Sequence, residues 1–378
     1  MDRKDYFKSL KRIVVKVGSS TLTQDQGLNI SAICSISKQI SSLMEKKIEV
    51  IIVSSGAMAS GIKKLGFIKK PDEIPKRQAV AAVGQPGLML EYEKAFLQYN
   101  KKVAQILLTG DDLINRTRYL NSRNTICTLL SWGVVPIINE NDTVAIEEIK
   151  FGDNDNLSAL ITLLLDADLL INLTDIDGMY NMDPRKFHDA ELIHEVSNIS
   201  QFENAAGDTH GILGTGGMLS KINAAKKVII AGIPMVIAKG SKPDILEKIL
   251  SGNREGTFFI PEKRTLHSRQ IWIAFNLKPK GSIIIDEGAA RALIQRGTSL
   301  LASGIVKVEG DFGVYDRVEC KKTDNQVVGI GLVNYSSSEI NKIKGLKSCQ
   351  IGDCLGYKNC DEVIHRDNLV VTLKAWEK

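Results

Sequence analysis

Residues 151–160 read FGDNDNLSAL, so Asp153, Asn154, Asp155 and Asn156 set two carboxylates and two carboxamides side by side just before the apolar run Leu160 to Leu165. One such side chain would suffice to cap a helix beginning near Asn156 or Leu157. The surplus predicts polar groups aimed at a ligand. Four other stretches share this character. VVKVGSST supplies Lys16 and then Gly18, Ser19, Ser20 and Thr21, a loop whose glycine lets backbone N–H groups approach an anion. IIVSSGAMASG places Ser54, Ser55 and Gly56 after an apolar run, and PIINENDTVA places Asn139, Glu140, Asn141 and Asp142 likewise. INLTDIDGMYNMDPR brings Thr174, Asp175, Asp177 and Gly178, groups suited to hydrogen-bonding a ribose and a base. GILGTGGMLSK adds a glycine cluster opening a helix, with Lys221 near its start.

Glycine loops with two lysines supply what phosphoryl transfer asks of a protein, namely positioning and neutralisation of oxygen charge. Neither standard nucleotide motif is present. No G-x-x-x-x-G-K-S/T occurs, and Gly214-Thr215-Gly216-Gly217 lacks the glycine spacing of a dinucleotide site. The histidines, His188, His194, His210, His267 and His365, sit in none of the glycine loops, which argues against a histidine-based nucleophile triad. Each loop alone is a weak signal, and their succession after strands is what gives them weight.

The elements that must position these loops alternate. Apolar, β-branched runs at Ile13–Val17, Val50–Val53, Val103–Leu108, Val134–Ile138, Leu169–Leu173 and Met235–Ala238 are separated by helical patterns, at Ile30–Met44, Gln78–Tyr99, Leu120–Trp132, after Asn156 and at Lys221–Ala231. Strands apolar throughout imply a mainly parallel sheet covered on both faces, a three-layer αβα sandwich. In such a sheet ligands bind beyond the carboxyl ends of the strands, where the polar loops would share one crevice. The rhythm fades after Leu250, where residues 251–256 and Glu262 to Arg264 read as a linker. From Gly281 the segments are short and β-rich, with one helical stretch at Gly288–Arg296. The expected division is 1–260 α/β domain, 261–280 linker, 281–363 small mostly-β domain and 364–378 tail.

Composition sets the outer bounds. A chain of 378 residues with 43% hydrophobic content is long enough for two or three domains. Its 49 basic and 44 acidic residues leave a net charge of +5, too weak for a nucleic-acid footprint. The start carries Asp2, Lys4, Asp5 and Lys8 in place of the apolar core of a signal peptide, and Asp166 and Asp168 interrupt the longest apolar runs. A cytoplasmic protein with no membrane segment is expected. Cys349, Cys354 and Cys360 match no common zinc spacing, so reduced thiols are expected.

Taken in order, KVGSSTLT, VSSGAMASG, VGQPGLM, INENDTVA, FGDNDNLSAL, LTDIDGMYNMDPR and LGTGGMLSKINAA resemble the glutamate 5-kinase branch of the amino acid kinase family, over about residues 10 to 260. IIIDEGAARALIQRGTSLL and GIVKVEGDF resemble, more loosely, the PUA domain that many bacterial members carry. The resemblance implies the amino acid kinase fold and ATP-dependent phosphorylation of the γ-carboxylate of L-glutamate, the first step of proline synthesis, with Mg²⁺. It implies Lys16 and Lys221 as catalytic residues, Lys16 on the ATP phosphates and Lys221 on the transferring group; beside them, Asp155 is expected as a third catalytic residue that orients the lysines through charge pairing. Ser55, Asp142 and Asn154 would hold glutamate, with Asp142 on its ammonium; Asp153 is expected, from the opening stretch itself, to support the loop. Gly18, Thr174 and Asp175 would line the nucleotide site, over which Thr215, Gly216, Gly217, Met218, Leu219, Ser220 and Lys221 would close. It further implies a homo-oligomer, a dimer or tetramer, inhibited by proline and passing its product to glutamyl-5-phosphate reductase. The alternatives are kinases of the same fold acting on aspartate, acetylglutamate, carbamate or a nucleoside monophosphate, against which Asn139 to Asp142 argue. A different class is RNA binding by the β-rich domain, for which Lys278, Lys280, Arg291 and Arg296 offer charge but few aromatics offer stacking.

Overall fold

The computed structural model describes residues 3–24, 27–144, 154–182, 184, 187–199, 216–262, 270, 273 and 279–371. The chain divides into two compact units, Met1–Arg264 and Thr265–Lys378. Asp153, Thr215, Lys278 and most of the expected linker lie outside the described residues.

The first unit is built on an eight-stranded sheet. Its strands are β1 (Arg12–Val17), β4 (Glu49–Ser54), β5 (Lys102–Leu108), β6 (Val134–Glu140), β7 (Leu169–Thr174), β8 (Glu195–Val196), β9 (Met235–Lys239) and β10 (Thr257–Phe259), while β2 (Thr23–Gln24) and β3 (Gly27–Leu28) pair separately. The order is β5-β6-β4-β1-β7-β9-β10-β8. All neighbours are parallel except β9 and β10. Alternation along β1 sorts the two faces. Ile13, Val15 and Val17 join the core formed with α3 (Ile30–Glu45), α5 (Ile74–Leu97) and a short helix at Ile245–Leu250. The opposite face, with Val14 and Lys16, is covered by α8 (Asn154–Leu164) and α9 (Gly216–Ile230), which pack on each other. This is a three-layer αβα sandwich.

The β10 pairing alters the reading of residues 251–256 as linker: they turn the chain into a strand of this same sheet, with Gly256 at φ +65°. A three-residue strand is too short to carry a period that sequence could show.

One contact fixes how α4 and α5 pack in the first unit. After Gly56, at φ +115°, α4 (Ala57–Leu65) lies against α5 with glycines at the crossing. A Cβ on Gly61 would stand 1.9 Å from the Val80 carbonyl oxygen, and one on Gly84 would stand 1.8 Å from that of Ala57.

The second unit holds a five-stranded sheet of order β13-β11-β14-β15-β17, from β11 (Gly281–Ile285), β13 (Ile305–Gly310), β14 (Arg317–Lys321), β15 (Val327–Leu332) and β17 (Leu369–Val371). Ile283, Ile285, Val318, Val328 and Tyr335 lie in its core. Asp286 caps the following helix by accepting from the Ala289 N–H at 2.7 Å. Strand β17 pairs with β15, so the stretch expected as a tail contributes an edge strand. Cys320 is buried here, and burial pushes its thiol up to about 12. All six cysteines are free. Among the described residues no helix is long and apolar enough to cross a membrane.

Candidate active site

Helix α8 begins at Asn154, two residues earlier than expected, so Asp155 lies in its first turn rather than at a cap. A carboxylate there is favoured by the unpaired N–H groups of the helix start. Asp155 is 1% exposed and fully occupied. Its Oδ1 meets the Lys16 ammonium in an ion pair and accepts from Asn172 Nδ2 at 2.7 Å. Its Oδ2 accepts from Ser220 Oγ at 2.7 Å and from Lys221 Nζ at 3.0 Å. The Ser220 hydroxyl and the Lys221 ammonium also reach the Gly217 carbonyl, at 2.9 and 3.1 Å. Burial alone would raise the Asp155 pKa, but the charges of Lys16 and Lys221 and the hydrogen bonds from Lys16 and Ser220 outweigh it and hold the carboxyl well below its usual range. The carboxylate is therefore a fixed anion that ties three elements, β1, α8 and α9, at one point.

Ser158 Oγ donates to the Asp155 carbonyl at 2.7 Å, and Asn156 accepts from Lys227 of α9. Neither side chain acts as the cap that sequence suggested, because both lie inside the helix and are claimed by its own backbone or its neighbour.

The strand-end loops close around this hub. The Gly18 N–H donates to the Leu173 carbonyl at 3.0 Å, and the Ser55 N–H to the Val17 carbonyl at 3.1 Å. A Cβ on Gly18 would lie 3.3 Å from the Leu173 carbonyl oxygen and 3.5 Å from the Lys16 Nζ. Asp175 accepts from Thr174 Oγ1 at 3.0 Å and Ser20 Oγ at 3.1 Å. Its burial works to raise its pKa, and the hydrogen bonds from Thr174, its own backbone and Ser20, with the Lys221 charge, lower it below the usual value. Of the residues expected to close over a nucleotide, Met218 is buried and Leu219 exposed, while Gly216 and Gly217 start α9.

Beside the hub runs a neutral network. Asn154 Nδ2 donates to Ser55 Oγ at 2.8 Å and to Asn139 Oδ1 at 3.2 Å, and Asn139 Nδ2 donates to Gln85 Oε1 at 3.1 Å. Ser54 and Tyr92 share a buried hydrogen bond of 2.9 Å below it. Asp142 follows on the same strand-end loop, and among the described residues its carboxylate has no hydrogen-bond donor. Burial pushes its pKa above the usual value, against the lowering effect of Lys70.

The structure thus brings Lys16, Asp155, Ser220 and Lys221 into direct contact and joins Asn154 to Ser55, while Asp142 touches neither group. Sequence reasoning missed Asn172 and Gln85. The signal for Asn172 was available: one carboxamide in the strand Leu169–Thr174, whose residues are all buried. Gln85 gave none, being one polar residue in a long helix.

Residues 11–239 match the model of the Amino acid kinase family, and residues 281–355 match that of the PUA domain. The chain belongs to the amino acid kinase family. Among curated relatives of this amino acid kinase is a Glutamate 5-kinase of Caldanaerobacter subterraneus subsp. tengcongensis, 52% identical over 97% of this chain and 99% of the relative. A Glutamate 5-kinase of Geobacter sulfurreducens is 51% identical over 98% of this chain and 100% of its own length. In this amino acid kinase the lysine–aspartate hub joins the end of β1 to the starts of α8 and α9. Among the described residues of this one, no group of three or more His, Cys, Asp and Glu side chains could hold a metal ion.

Proposed function

We propose that this amino acid kinase transfers the γ-phosphoryl group of ATP to the γ-carboxylate of L-glutamate, giving L-glutamyl 5-phosphate and ADP. The observation that carries the reading is the pair of lysines held on buried Asp155 next to a neutral hydrogen-bonded network, in a chain whose near-full-length relatives are named Glutamate 5-kinase.

A glutamate side chain, with a reference pKa of about 4.3, is ionised at neutral pH, so no base is required. A carboxylate oxygen attacks the γ-phosphorus in line, the bond to the bridging oxygen breaks, and ADP leaves with the electron pair. The obstacle is repulsion between an anionic acceptor and a polyanionic donor. Lys16 and Lys221 offset it as point charges on phosphate oxygens. Asp155 is no base here, since its lone pairs are taken and its pKa is depressed; it holds the lysines. Asp142 receives the substrate ammonium, and Asn154 and Ser55 orient the carboxylate. Gly18, Thr174, Asp175 and the stretch from Thr215 through Gly216, Gly217, Met218, Leu219 and Ser220 to Lys221 hold the nucleotide. Mg²⁺ arrives as the ATP complex, a part of the substrate.

An acyl phosphate is hydrolytically labile, so a reductase that consumes glutamyl 5-phosphate is the expected next enzyme, and proline the expected feedback inhibitor of a homo-oligomer in the cytoplasm. The test is acyl-phosphate trapping with hydroxylamine, comparing L-glutamate with aspartate and acetylglutamate, for wild type and Lys221→Ala. Glutamate-dependent hydroxamate, lost in the variant, is expected. Signal with another acid only would overturn the substrate assignment.

A further inference from the structure

Asn172 stands in the middle of β7 with no exposed surface, among residues that are otherwise apolar up to Thr174. The sheet register sets it directly beside Lys16 of β1. Both side chains reach the same oxygen of Asp155, the Lys16 ammonium as an ion pair and the Asn172 Nδ2 at 2.7 Å. The other half of the carboxamide is unsatisfied: Asn172 Oδ1 is buried with no hydrogen-bond partner among the described residues. A buried carbonyl without a donor disfavours folding. An apolar, strand-favouring residue of similar volume would remove that cost and leave Asp155 with Lys16, Ser220 and Lys221 as partners. The unsatisfied Oδ1 thus offsets what the Nδ2 bond to Asp155 contributes, and net stability gives little reason for an asparagine at this position.

We propose that Asn172 is a positioning residue for the phosphoryl transfer, fixing the plane of the Asp155 carboxylate so that its two oxygens hold Lys16 and Lys221 at a set separation. The proposal rests on the reading of the chain as a glutamate kinase. A carboxylate held only by two flexible ammonium groups and a hydroxyl can rotate about its terminal bond, carrying both lysines with it. Nδ2 is a donor on a rigid strand, so it ties that rotation to the sheet. A misplacement of well under 1 Å at charges that act on the reacting phosphoryl group lowers the rate of the chemical step. Asn172 touches none of Ser55, Asp142 and Asn154, so binding of the acceptor is left unaltered.

The experiment uses the full chain with Asn172→Leu and Asn172→Val, hydroxamate formation at saturating MgATP and varied L-glutamate, and thermal melting of each variant. The expected result is a fall in kcat of about tenfold or more, a KM for glutamate within about twofold of wild type, and a melting temperature equal to or above that of wild type. A kcat within about twofold of wild type in both variants would overturn the proposal. So would loss of folding in both, because Asn172 would then serve stability. A wild type that forms no acyl phosphate from glutamate would defeat the underlying reading instead, so the two failures are told apart by the unmutated protein.

Discussion

The two halves of the candidate site handle charge in opposite ways. Around Asp155 every group is ionic or tied to an ion, and the carboxylate is saturated by Lys16, Asn172, Ser220 and Lys221. Around Asn154 the groups are neutral amides and hydroxyls that satisfy one another, and Asp142, on the loop that follows Asn139, has a carboxylate with no hydrogen-bond donor among the described residues. Under the proposed function, the difference follows from what each half would receive. A polyanion is best met by cations held in place beforehand, and an anion between two lysines keeps them from repelling each other while leaving a net positive charge. An amino acid is a zwitterion, so its half needs one open carboxylate and neutral donors elsewhere.

Asp155→Asn strikes the charged half and carries the largest expected effect. Turnover should fall on the order of 10³-fold, comparable to losing a transition-state charge contact. Stability should fall as well: Asp155 is buried between two lysines, and removing one partner of a buried ion network costs roughly 3–5 kcal/mol, which thermal or urea melts will register. MgATP should restore more stability to the variant than to wild type, because its phosphates supply the missing negative charge. The pH dependence follows from the depressed Asp155 pKa. Its stabilising contribution is fully present above the ordinary carboxylate value of about 4 and is lost as pH falls toward the lowered folded value. Melts between neutral and acid pH should therefore show a shallower acid decline in Asp155→Asn than in wild type.

Asp142→Asn tests the other half. It should raise the KM for glutamate by about 10²-fold with kcat changed far less, as expected when a charged hydrogen bond to bound substrate is lost. A kcat collapse at unchanged KM would place Asp142 with the charged half and erase the contrast. Ser55→Ala is the smallest of these. Loss of one neutral hydroxyl should raise the glutamate KM by about tenfold or less and leave the melting temperature nearly unchanged.

Much of this was legible in the order of residues. Each long strand of the first sheet was visible as an apolar run, and the polar loops were visible as the residues that follow those runs. What could not be read was pairing over distance. That Lys16 and Lys221 share one carboxylate depends on β1 and α9 being brought to the start of α8, and no spacing in the chain encodes it. Asn156 and Ser158 looked like caps because polar residues ahead of an apolar run resemble a helix start wherever the helix begins. Strands β8, β10 and β17 escaped because two or three residues cannot show alternation, and their pairing is decided by neighbours far away in the chain. The second unit was recognised by its change of texture, yet its edge strand near residue 370 was taken for a tail.

The glycine crossing of α4 and α5 shows how constraint reaches positions that carry no chemistry. Gly61 and Gly84 have no functional group, yet any side chain there would collide with a backbone carbonyl less than 2 Å away. Since α4 begins beside Ser55 and α5 carries Gln85, prying the helices apart would shift both ends of the neutral network. In a saturation mutagenesis experiment scored on growth without supplied proline, these two bare positions should tolerate as few substitutions as the lysines do, and intolerance alone would not distinguish a reacting group from a hole into which nothing fits.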